Sequence, residues 1–94
     1  MVMTSQELQN HLSEREDGRK TIELMDKLGF SLDFVAANVL SKADVTIAQT
    51  AMLWMGMPNK HDRKRTRQLF DALAAVGLLK PADEEGETWR PITR

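Results

Sequence analysis

The chain has 94 residues, enough for one domain with a modest core. Its 41% apolar and 29% charged residues are those of a soluble globular protein. The absence of cysteine excludes disulfides, thiol nucleophiles and thiolate metal sites. The formal net charge is only −1, but the two signs are segregated. Residues 59–67, NKHDRKRTR, carry five Lys/Arg, one His and one Asp, whereas residues 83–87, DEEGE, carry four acids and no base. Binding electrostatics follow such local fields more than the sum.

The start, MVMTSQELQNHL, has no basic segment leading into an apolar run, so it does not read as a signal peptide. The longest apolar candidate, TIAQTAMLWMGM, falls short of the ~20 residues of a membrane span. A soluble, cytoplasmic protein is expected.

Thr4 or Ser5 opens a first, weakly amphipathic helix. Thr4 and Glu7 have capping-box spacing, and Leu8 and Leu12 are its only strong apolar positions. Gly18 reads as a break. A second helix then carries Ile22, Leu24, Met25 and Leu28, and Gly29 stands where a glycine stops a helix. Residues 1–30 form an N-terminal helical extension in this reading, outside the three-helix core of the remaining chain; Leu8, Leu12, Ile22 and Met25 are open to two readings, core or dimer face.

Ser31 caps the next helix, LDFVAANVLSK, which has Leu32, Val35, Ala36, Val39 and Leu40 on one stripe. Thr46 and Gln49 make a second capping-box spacing ahead of IAQTAMLWM. Ile47, Ala48, Ala51, Met52 and Met55 are its expected buried face, and Gly56 and Pro58 end it. Trp54 falls away from that stripe and is free to meet a partner or the N-terminal helices.

The longest helix runs from about Asn59, its N-cap, to Val76. At about 100° per residue, Thr66, Leu69, Phe70, Leu73 and Val76 share one face. Lys60, Lys64, Arg67, Gln68 and Asp71 lie opposite, with Arg63 and Arg65 at the edges. Six of the eight residues from Lys60 to Arg67 are basic or histidine. Positive charge at a helix N-terminus opposes the macrodipole and is favourable only with an anion nearby. Finally, Leu78–Lys80 and Thr88–Ile92 read as a hairpin around the acidic turn, with Trp89 anchoring it to the core and Pro81 and Pro91 limiting its ladder.

The order of helix, short helix, turn, basic helix, Gly-Leu-Leu and hairpin resembles the winged helix-turn-helix. TIAQTAMLWMGMP and RQLFDALAAVGLLK are similar to the second and third helices of the N-terminal DNA-binding domain of the IclR family, over about residues 32–92. About four extra residues, KHDR, separate Pro58 from the matching part of the third helix; they either lengthen the turn or add a turn of helix. The resemblance implies a mainly α fold: a three-helix core with a C-terminal β-hairpin wing over residues 31–94, preceded by the extra N-terminal helices. It also implies double-stranded DNA as partner, with the basic helix in the major groove. A helix about 10–12 Å across fits a groove about 12 Å wide.

Lys60, His61, Arg63, Lys64, Arg65 and Arg67 are the candidate phosphate or base contacts. Gln68 is a candidate for an adenine edge. Thr88 and Arg90 would approach the backbone or minor groove from the wing. His11 and His61 are isolated histidines, and no spacing of His, Asp or Glu suggests a metal site, a cofactor or a catalytic pair. The expected function is that of a small non-enzymatic regulator or accessory factor, of a size that suits a phage, mobile element or operon. A homodimer reading two half-sites is a further expectation. The competing reading is a winged-helix adaptor or phage-type inhibitor whose basic face docks an acidic protein.

Overall fold

The computed structural model describes residues 4–92, so the outermost ends of the two expected segments, residues 1–3 and 93–94, lie outside it. Among the described residues, five helices are accompanied by one small antiparallel sheet. The helices are α1 (Ser5–Ser13), α2 (Glu16–Leu28), α3 (Leu32–Asn38), α4 (Ile47–Met55) and α5 (Lys60–Ala75). The strands are β1 (Val45–Thr46), β2 (Leu79–Pro81) and β3 (Thr88–Pro91), in the order β1-β3-β2. None of the described helices is long and apolar enough to cross a membrane.

The helix ends follow local sequence. The Oγ1 of Thr4, the Oγ of Ser31 and the Oγ1 of Thr46 accept the amides of Glu7, Phe34 and Gln49 at 3.0–3.1 Å, each satisfying an N–H that the helix leaves unpaired. Gly29 closes α2 at φ 94°, a left-handed conformation costly for other residues. The Phe30 amide then reaches the Met25 carbonyl at 2.8 Å. This bond and that from Gly29 to Asp26 satisfy the last carbonyls of α2.

The N-terminal segment belongs to the core, which corrects its reading as an outlying extension. Leu8 and Leu12 are fully buried and Met25 is nearly so, in one cluster with Val35, Leu69, Phe70 and Leu73. Ile22 packs against that cluster. Of the two readings open to the apolar residues of α1, core and dimer face, the first holds: both Leu8 and Leu12 are turned inward, against α2 and α3. They are therefore closed to a partner chain.

Gly18 is not a break either. It lies buried inside α2, with the α1 backbone directly against it. A Cβ there would sit 2.1 Å from the Leu12 carbonyl oxygen. The glycine is the point of closest approach between two helices, a tertiary requirement invisible in a local pattern.

Helix α4 also presents a different face. Ile47, Thr50 and Ala51 are buried and Trp54 is half-buried, while Ala48, Met52 and Met55 are exposed. The rotation is held by Trp54, whose ring stacks on Phe30 at a centroid distance of 4.0 Å. Its Nε1 donates to the Gly29 carbonyl at 3.2 Å. The tryptophan thereby joins α4 to the end of α2.

The hairpin forms as expected around Trp89, which is buried with its ring edge-on to Phe70 at 5.8 Å. The sheet has an additional strand: Val45 pairs with Trp89 and Thr46 with Thr88, making β3 the central strand. Helix α3 is shorter than its apolar stripe suggested, ending at Asn38; Val39 and Leu40 continue the core from the turn beyond it.

Candidate nucleic-acid interface

Helix α5 begins with a reciprocal cap. The Oδ1 of Asn59 accepts the Asp62 amide at 2.9 Å, and the Asp62 carboxylate accepts the Asn59 amide at 3.0 Å. Asp62 is thus buried and committed to the cap, with a single ion pair to Arg65 at 3.6 Å. The one acid of the basic run stabilises the helix start and the macrodipole there. The extra KHDR residues form the first turn of α5. Farther along, Thr66 is fully buried and donates to the Asp62 carbonyl, and Leu69, Phe70 and Leu73 fix the inner face.

With that face buried, the cations must point outward. Lys60, Arg63, Lys64 and Arg67, spaced i, i+3, i+4 and i+7, line one open groove together with Ile47 and Glu87. All four are exposed, and among the described residues none of them forms an ion pair. Four basic side chains on two turns therefore share the groove with a single carboxylate, that of Glu87, and none is paired with it. His61, Arg65 and Gln68 are exposed on α5 but do not line this groove.

The wing residues lie apart from this stripe. Trp89 faces α5, so Thr88 and Arg90, one residue to either side of it, point to the other face of the sheet. Arg90 donates its Nε to Asp44 at 2.7 Å, and Thr88 is half-buried opposite Thr46. Neither joins the α5 stripe. The alternation of a strand decides this once Trp89 is taken as the inward residue.

Glu87 is the member of the groove that the sequence did not single out. Its carboxylate accepts the Ala48 amide at 3.1 Å, and its carbonyl accepts the Ile47 amide at 3.0 Å, both at the start of α4. Its negative charge thus occupies the positive end of that helix. Nothing local marks Glu87 off from the other acids of the turn, because its partner is 39 residues away.

The remaining acids sit at the wing tip. Asp83 accepts the amides of Glu87 and Thr88 at 3.0 and 3.1 Å. Desolvation opposes its charge, but the amides of Thr88, Glu87 and Gly86 outweigh it and hold the carboxyl below its ordinary value. The turn also abuts the far end of the stripe: a Cβ on Gly86 would lie 2.8 Å from the Arg67 guanidinium.

No family model, curated protein or solved structure matches this chain. The reading of the site therefore rests on its geometry. Among the described residues, no group of His, Asp and Glu has the makeup of a metal site.

Proposed function

We propose that this chain is a winged helix-turn-helix protein that binds double-stranded DNA through α5, without catalysis, as a regulator or accessory factor. The observation that carries the proposal is the unpaired stripe of Lys60, Arg63, Lys64 and Arg67 at the N-terminal end of α5. Duplex DNA offers phosphates at a density that suits such a stripe, and binding releases the counterions they hold. The order α3-β1-α4-α5-β2-β3, with β1 added to the edge of the hairpin, supports the winged-helix reading. Helix α5 is 16 residues long, roughly 24 Å, so its first half can enter a major groove while its second half stays in the core. Gln68, exposed on the same helix, is the candidate for a base edge.

The test is a mobility-shift titration against duplex DNA in low salt. Replacing Lys64 and Arg67 with alanine leaves the core untouched and weakens binding to every sequence. The slope of log K against log salt becomes shallower by about 0.9 for each phosphate no longer neutralised. Gln68→Ala costs roughly 1–3 kcal/mol at the preferred site alone. If the unmodified chain does not bind duplex DNA in low salt, the proposal fails. Loss of an acidic protein partner from the double variant would then put an adaptor in its place.

A further inference from the structure

Helix α4 carries a surface that the DNA reading does not use. From Val45 to Asn59 the sequence has no charged residue. Within that stretch Met52, Leu53, Met55 and Met57 are 59%, 51%, 47% and 93% exposed. They account for all the exposed large hydrophobic side chains among the described residues except Ile92. The outer face of α1 carries Gln, Glu and Asn, and those of α2 and α5 carry Lys, Arg and acids, as a solvated helix surface should. That of α4 carries methionine and leucine, because Trp54 on Phe30 and Ile47 in the core fix which side turns in.

We infer that this face is the contact between two copies of the chain. Three considerations favour a second copy over another occupant. At these exposures the four residues leave a few hundred Å² of mostly apolar surface bare, about as much as the largest patch on a typical monomer. Two-fold pairing, with the neighbouring residues of α4 included, would need to remove about 1,000 Å² from water, the lower bound for a specific interface. A charge-free surface gives a charged partner nothing to complement, yet meets its own copy without like-charge repulsion. Finally, the other apolar candidate for self-association, Leu8 and Leu12 on α1, is fully buried. A two-fold axis through α4 makes the contact isologous, each α4 packing on the other, and methionine side chains adjust readily to such a fit. The inference stands whether or not α5 meets DNA.

Sedimentation velocity of the full chain across the micromolar range tests it. The mass should rise with concentration from 10.7 kDa toward twice that value. Met52→Glu combined with Met57→Glu should hold the chain at the monomer mass across the same range, with its helical circular dichroism intact. Should that pair disturb folding, Met57→Glu alone, at a nearly fully exposed turn position, should weaken self-association at least tenfold. A wild-type chain that stays monomeric throughout the range overturns the inference. So does a dimer that folded α4 variants leave unweakened, since another face would then hold it.

Discussion

Replacing Gly18 with alanine sets two opposed effects against each other. Alanine favours a helix by up to about 1 kcal/mol over glycine, and less within the first turn, where Gly18 lies. On that ground alone the variant would gain stability. Its Cβ, however, would stand 2.1 Å from the Leu12 carbonyl oxygen and 2.7 Å from the Leu12 carbonyl carbon and Cα. Carbon and oxygen approach no closer than about 3.3 Å even in favourable contacts, so α1 and α2 must part by about 1 Å. The atoms in the way are backbone, which cannot turn aside as a side-chain tip can. Separation also loosens Leu8 and Leu12 in the core. Overpacking of this kind costs about 1–3 kcal/mol or more. The clash wins, and the expected net loss is about 2 kcal/mol or more. For a domain of this size that is about 10 °C in Tm. Thermal and urea unfolding followed by circular dichroism measure it. Gly77→Ala is the control: its Cβ meets nothing within 4 Å, but φ is 78°, so only the left-handed penalty of about 1–2 kcal/mol applies. A Gly18→Ala protein as stable as its parent would refute the close approach of α1 and α2.

The wing should respond to acid through Asp83. Its carboxyl is held below the ordinary value, so the stability it supplies is complete above the unfolded value of about 3.9 and is lost as pH falls through the lower folded value. Trp89 fluorescence should report loosening of the hairpin in that range, and Asp83→Asn should loosen it already at neutral pH. Glu84→Gln with Glu85→Gln removes two exposed charges from the turn that abuts Arg67. If DNA docks along α5, low-salt affinity should rise by about two- to threefold per charge, an effect that 0.3 M salt erases. Unchanged affinity would show that the duplex stays clear of the wing. Trp54→Ala breaks the stack on Phe30 and the hydrogen bond to Gly29. A half-buried tryptophan should cost about 2 kcal/mol by urea titration, and Trp54→Phe should recover part of it.

The features legible in the sequence were those that short-range chemistry determines. Thr4, Ser31, Thr46 and Asn59 cap helices because a side-chain oxygen and an amide three residues on meet wherever a helix begins. The stripe of α5 was legible because Leu69, Phe70 and Leu73 leave one choice for the inner face. Helix α4 offered no such choice, since Ala, Met, Leu, Trp and Ile surround it. Its rotation was set by the distant Phe30 ring: of the expected face, Ile47 and Ala51 are buried, while Ala48, Met52 and Met55 are exposed. Gly18 and Glu87 were missed for the same reason: each is defined by backbone from another part of the chain. Strand β1 is two residues long, too short for any alternation to announce it. The ion pair of Arg90 with Asp44 was not legible because the two residues are 46 positions apart in sequence.

The central strand of the sheet is also its latest in chain order. Val45 and Thr46 can pair only once Thr88–Pro91 has arrived, with α4 and α5 intervening. Closing so long a connection carries an entropic penalty that must be met before the ladder repays it, and contacts of this separation slow folding. Once β3 is seated, it joins β1 to β2, places Trp89 on Phe70 and, through the adjoining Glu87, ties down the start of α4. The small sheet works as a latch: once closed, it fixes how α4 and α5 lie against each other.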